Sequence, residues 1–300
     1  FLNLRRNTGD DRLRCHDMNT ASWIPDIFMR RVKEDSAWYM FDPHECKELH
    51  DLYGERFDAK YEEYISLAED GKLKNFHKTS AKELWKKMLK VLFETSHPWN
   101  TFKDPCNIRY TNQHEGVVHS SNLCTEITLH TKASEYREGK KIQHGETAVC
   151  NLGSINLTKH LLDGLPGFDE GLDYEKLKDT IRVAVRMLDN VIDLNFYPTE
   201  EARQSNMKHR PVGLGMMGLH DILHKFNIQF DSDEAVGFSN ELFEFYSCNA
   251  IYASSLLAEE RGSYETYEGS LWSKNVFPID SYNDLMIYRG KKKKAVTGEG

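Results

Sequence analysis

Nowhere does the sequence hold the run of about eighteen apolar side chains that a membrane-crossing helix requires. No C-x-x-C pair occurs among the six widely spaced cysteines, Cys15, Cys46, Cys106, Cys124, Cys150 and Cys248. A disulfide scaffold is therefore not expected, and a reducing cytoplasm is the expected compartment. No basic stripe with interleaved aromatics is present, and the net charge is −8, so nucleic acid is not an expected partner. The lysines from Lys291 to Lys294 read as a solvated loop. The N-terminus "FLNLRRNTGDD" has no basic-then-apolar leader and no initial Met, and the chain stops in polar sequence. An internal piece of a longer protein is expected. There is no internal repeat.

What is present is a set of amphipathic segments. "SWIPDIFMRRVKED" predicts a helix with Ser22 as N-cap and Ile24, Ile27 and Phe28 on its apolar side. "GERFDAKYEEYISLAED" from Gly54 and "TSAKELWKKMLKVLFETS" from Thr79 predict two more. In "DYEKLKDTIRVAVRMLDNVIDLN" from Asp173, Leu177, Ile181, Val185, Leu188 and Ile192 recur at helical spacing. A further helix is predicted from Asp233 to Glu260, stopped by Gly262.

Two segments break this pattern. "EGVVHSSNLCTEITLHT" and "TAVCNLGSINLT" alternate and are poor in helix formers, so both predict strands; the polar "KASEYREGKKIQHGE" between them predicts a loop. On a strand, Asn122, Cys124 and Glu126 would share one face, with Leu123 and Ile127 anchored in a core on the other. An amide can hold a hydroxyl. A carboxylate can take a proton from one, the more readily if buried, and a thiol can serve as thiolate or one-electron centre. A pentose with adjacent hydroxyls matches that span. The pattern is short, and a half-buried strand whose cysteine only packs accounts for it equally well. Cys150 adds a second thiol in an extended segment, again with core packing as the plain alternative.

Other motifs carry less. Gly213, Gly215 and Gly218 match G-x-G-x-x-G, but polar sequence and Pro211 precede them instead of a hydrophobic strand. They read as a glycine-rich helix start that permits close packing. His220 and His224 are four apart, with no third ligand in register. His119, His130 and His144 flank the cysteine segments without ligand spacing, and read as solvated or locally hydrogen-bonded.

The string "SNLCTEI" followed by "AVCNLGSINL" resembles the active-site region of the large (catalytic, alpha) subunit of class I ribonucleotide reductase. "LRRNTGDD", "WIPDIFMRRV", "DPCN", "NFYP", "HRPVGLGMMGLHD" and "GSYETYEGS" extend the likeness over nearly the whole chain, in the same order. It weakens between Lys132 and Gly145 and in the last twenty or so residues. The resemblance implies a helix-rich α/β fold in which residues 1–300 form the central part of a ten-stranded α/β barrel, with a finger loop carrying the site. It implies that Cys124 becomes a thiyl radical, that Glu126 is the general base, and that Asn122 orients the ribose and its intermediate. Cys150 matches one member of the redox-active cysteine pair, whose partner lies upstream of Phe1. Cys106 of "DPCN" matches no catalytic position.

The family's radical-relay tyrosines, tail cysteines, phosphate-binding segment and most effector loops have no counterpart in these residues, so this piece alone is expected to be inactive. No cofactor bound tightly in this chain is expected. The implied partners are a small (beta) subunit supplying the radical from a dinuclear metal centre, a second large subunit in a homodimer, and thioredoxin or glutaredoxin. Ribonucleoside diphosphates are the implied substrates and ATP or deoxynucleoside triphosphates the effectors, with Mg2+ accompanying nucleotides. The adenosylcobalamin-dependent reductases carry N-P-C-G-E, so Leu123 and Thr125 favour the class I reading. A non-enzymatic helical module would instead tolerate Cys124→Ser with no loss beyond stability.

Overall fold

The computed structural model describes residues 1–162 and 171–290; Lys291 to Lys294 lie outside them. The chain divides into two compact units, Phe1–Lys132 with Glu268–Gly300, and Ala133–Tyr267.

The first unit begins with β1 (Ala21–Ile24), α1 (Asp26–Glu34) and β2 (Ala37–Phe41), followed by α2 (Gly54–Glu69), β3 (Phe76–Ser80) and α3 (Ala81–Thr95). It continues through β4 (Trp99–Phe102) and the short α4 (Lys103–Ile108). Strands β1 and β4 pair in parallel, and β2 and β3 pair antiparallel. Ser22 is not a helix cap. It lies in β1 opposite Asn100, and the helix starts after Pro25. Ser80 caps α3 instead, its hydroxyl accepting from the Glu83 N–H.

Two aromatic-rich clusters form this unit's core. Ile27, Tyr39, Phe57, Tyr61 and Ile65 make one, and Ile24, Phe28, Ala81 and Met88 the other. Tyr61 is buried, yet its hydroxyl is fully used: it accepts from Tyr39 N at 2.7 Å and donates to Tyr39 O at 3.0 Å. Trp38 stacks on the same ring at 4.5 Å.

The second unit contains β5 (Glu135–Arg137), β6 (Lys140–Gln143), β7 (Asn151–Asn156) and α5 (Tyr174–Leu194). After these come α6 (Glu200–His209), β8 (Val212–Met217), α7 (Leu219–Lys225) and α8 (Asp233–Arg261); α9 (Pro278–Tyr288) belongs to the first unit. The segment predicted as a loop forms the β5–β6 hairpin. Its two central residues, Glu138 and Gly139, both have positive φ (52° and 75°), the backbone a two-residue turn requires.

Helices α5 and α8 behave as their sequence patterns predict. All five periodic apolar residues of α5 are buried, Asp173 accepts from Lys176 N as N-cap, and Gly262 ends α8. The two helices pack on the parallel pair β7–β8 to form the unit's core. Tyr246 of α8 donates its hydroxyl to the Gly215 carbonyl at 2.6 Å. The glycine-rich run is therefore strand rather than helix start. Gly213 and Gly215 lie in β8, and only Gly218, at φ 82°, marks the start of α7.

Each described strand has one partner, so the eight strands form four two-stranded sheets. A barrel requires every strand to be paired on both edges. The described residues are a helix-rich α/β structure without a closed barrel.

Candidate active site

The "NLCTE" segment lies on a loop of the first unit pinned at both ends. At its entry, Val118 is fully buried and clasped by Asn107 of α4. Val118 N donates to Asn107 Oδ1 at 2.8 Å, and Asn107 Nδ2 donates to Val118 O at 3.0 Å. At its exit, buried His130 lies with Nδ1 2.6 Å from the Tyr110 hydroxyl. Cys124 stands midway and is exposed.

Between these anchors the chain turns. Thr125 N donates to Asn122 O at 3.1 Å, and Thr125 takes φ 66°, left-handed backbone that a β-branched residue rarely adopts. Asn122 Oδ1 accepts from Ile127 N at 3.1 Å and from the Ser121 hydroxyl at 3.3 Å; that hydroxyl also lies 2.6 Å from Ile127 O. The expected strand is thus replaced by a turn that Asn122 closes on itself. Leu123 is 53% exposed and anchors no core, and Ile127 is half-buried. Amide, thiol and carboxylate still belong to one turn, although not through a pleat. Glu126 is exposed rather than buried.

Cys150 lies in the second unit, one residue before β7, and is half-buried with Sγ 3.8 Å from Asn151 O. Gly213 of β8 is its neighbour: a Cβ there would lie 3.6 Å from Sγ and 2.4 Å from the tip of Leu152. The approach to Cys150 is fixed by buried polar groups: Glu146 Oε2 lies 2.6 Å from His209 Nε2, and His209 Nδ1 lies 2.8 Å from the Thr266 hydroxyl. Thr147 N donates to Glu201 O at 3.1 Å. The Glu201 carboxyl is lowered to about 2, chiefly by Lys141 and also by His144.

Sequence reading missed Asp104 and Asn107, the two polar ends of "DPCN". Asp104 is completely buried and accepts from Asp26 N at 2.6 Å and Gly54 N at 2.7 Å, the first residues of α1 and α2. Asn107 holds the loop entry. Both project inward from one turn of α4, and their i, i+3 spacing was the available signal. Cys106 between them lines a cleft of about 470 Å³ with Arg109, Thr128 and Phe277. Burial pushes its thiol up, partly offset by the Arg109 charge. Of the other histidines, His144 meets Glu201 at 3.0 Å and His220 packs edge-on to Phe230 at 5.5 Å.

Comparison with known proteins shows the family over nearly the whole chain. The family model for the ribonucleotide reductase barrel domain matches residues 1–297. The chain is 53% identical over 291 residues to the ribonucleoside-diphosphate reductase subunit alpha of Chlamydia muridarum (strain MoPn / Nigg), covering 97% of this chain and 26% of that protein. It is 38% identical over 329 residues to the subunit alpha of Helicobacter pylori (strain J99), covering 95% and 40% respectively. It is 39% identical over 283 residues to the large chain of Neurospora crassa, covering 94% and 28%. The chain thus spans about a quarter of the length of the chlamydial relative.

Proposed function

Since the chain belongs to the ribonucleotide reductase barrel-domain family, we propose that it is the central part of the catalytic barrel of a class I ribonucleoside-diphosphate reductase, and that the turn at Cys124 is its radical site. The observation that carries this reading is the loop itself: a thiol presented at the tip of a segment whose two ends are buried and hydrogen-bonded. A group that reacts with a bound ribose needs exposure and a fixed base, and this loop supplies both.

Each residue has a distinct task in the proposed reaction. The Cys124 thiyl radical removes the 3′ hydrogen of a ribonucleoside diphosphate. Glu126 accepts the 3′ hydroxyl proton while a thiol of the redox pair protonates the 2′ hydroxyl, so that the 2′ C–O bond breaks and water leaves; Glu126 later returns its proton to the 3′ oxygen. The Asn122 bonds within the loop use Oδ1, so its Nδ2 is the donor suited to a ribose oxygen. Reduction at the 2′ carbon takes two electrons from two thiols, which close to a disulfide. Cys150 is one of them, and its partner lies upstream of Phe1. Cys124 then recovers the hydrogen at the 3′ carbon.

The remaining parts follow from the family. The radical arises in a small subunit with a dinuclear metal centre, large subunits pair as a homodimer, and thioredoxin or glutaredoxin returns the disulfide to thiols. ATP and deoxynucleoside triphosphates act as effectors, with Mg2+ accompanying them. Residues 1–300 alone hold one thiol of the redox pair and do not turn over.

The test is cytidine diphosphate reduction by the full-length protein with its small subunit, wild type against Cys124→Ser, with thermal melts of both. Loss of deoxynucleotide with an unchanged melt is expected. Wild-type turnover by Cys124→Ser would remove the assignment, and an inactive wild type beside a verified radical in the small subunit would remove the reductase reading.

A further inference from the structure

Apart from the Cys124 turn, one cluster in the first unit has the composition of a metal site. His50 and Asp51 end the short helical turn Lys47–Asp51, and His119 begins the Cys124 loop directly after pinned Val118. The two imidazoles stack, with centroids 3.9 Å apart and planes within 3°. His119 Nε2 lies 2.7 Å from Asp51 Oδ1. One ligand atom from each of the three residues falls within 4.8 Å of the other two.

Two imidazoles and a carboxylate are donors that zinc-class divalent ions accept, leaving a fourth position for water. Around such an ion, bonds of about 2.0–2.2 Å put neighbouring donor atoms roughly 3.3–3.5 Å apart. The present spacing reaches that by side-chain rotation, because His50 is exposed and the Asp51 side chain is 70% exposed.

We propose that His50, Asp51 and His119 bind one divalent transition ion of the zinc class, and that the ion clamps the entry of the Cys124 loop to the turn preceding α2. The inference rests on these three side chains and does not depend on the reaction proposed above.

The test is titration of metal-free full-length protein, thiols alkylated, with Co2+ followed by visible absorption and then with Zn2+ by calorimetry. Wild type, His50→Gln, His119→Ala and Asp51→Asn are compared, with His77→Ala as control. The expected result is one ion per chain fewer, or affinity weaker by about tenfold or more, in each of the three variants, and no change in the control. Zn2+ also raises the melting temperature of wild type and not that of His50→Gln, a reading in which each protein serves as its own metal-free reference. Identical titrations for wild type and the three variants, or no wild-type binding at millimolar metal, would overturn the proposal.

Discussion

Asp104 is the position at which the structure makes its sharpest demand. One fully buried carboxylate accepts the first backbone N–H of α1 and of α2, and neither helix has a capping side chain of its own. Burial pushes its carboxyl up, and the N–H groups of Gly54 and Asp26 draw it back down. Asp104→Ala leaves both donors buried and unpaired. Hydrogen bonds to a charged group are worth roughly 1.5–3 kcal/mol each, so losing two costs about 3–6 kcal/mol. That is a large share of the ~5–15 kcal/mol that holds a domain together. Asp104→Asn keeps one acceptor oxygen and turns an NH2 group toward the other N–H, so about half or more of that loss is expected. All five tryptophans, Trp23, Trp38, Trp85, Trp99 and Trp272, lie in the same unit, so intrinsic fluorescence in a urea titration reads this unit specifically. At about 2–4 °C per kcal/mol, the Asp104→Ala melt should fall by on the order of 10 °C. A loss below about 1 kcal/mol would mean that these two bonds do not anchor the helices, and the reasoning would fail.

Three further outcomes are expected. Asn122→Ala should speed amide exchange at Ile127, read by hydrogen-exchange mass spectrometry, whereas Asn122→Asp retains the acceptor and the protection; equal exchange in both would remove the self-closing turn. Gly213→Ala places a methyl 3.6 Å from Cys150 Sγ and 2.4 Å from the tip of exposed Leu152, which can swing away. Alkylation of Cys150 should therefore slow severalfold with stability nearly unchanged, and an unaltered rate would show that this flank is not the approach. Lys103 is buried with its ammonium donating to the Leu49 and His50 carbonyls, and burial lowers its pKa from 10.5 to about 8. Between those values the unfolded chain binds the extra proton, so stability rises with pH through that window and is lost as pH falls through 8. From pH 7.5 to 9.5, wild type should gain about 2 kcal/mol relative to Lys103→Met in urea titrations, and parallel pH profiles would contradict the burial.

Which parts of the fold could be read from sequence follows from where each element finds its partner. α5 and α8 carry their own evidence: a capping Asp173, five apolar residues at helical spacing, and Gly262 past the last turn. β1 does not, because Ser22 and Trp23 look like the start of a helix until Asn100 and Thr101 lie alongside them. β8 failed for the same reason. Its glycines pair with Leu152 and Ser154, some sixty residues upstream, and no local pattern announces a strand that accepts so few side chains. The family model is that of a barrel domain, whereas each described strand here has one partner.

Alternation puts Asn122, Cys124 and Glu126 on one strand face, whereas the structure puts them on a turn of a loop, the element the family resemblance implies. The polar residues that alternation assigned to a strand face are spent partly on the backbone: Asn122 Oδ1 takes the Ile127 N–H, and Thr125 reverses the chain. Short polar side chains compete with sheet ladders in this way, so a polar alternation flanked by serines is weak evidence for a strand. The buried clasp at Asn107 and the helix anchor at Asp104 cannot be read from "DPCN" alone, because their partners Val118, Asp26 and Gly54 lie outside it. The thiol there lines a cleft, while the residues on either side of it hold the loop and two helices in place. A loop is only as well positioned as the side chains at its base, and for the loop that carries exposed Cys124 those are Asn107, Tyr110 and His130.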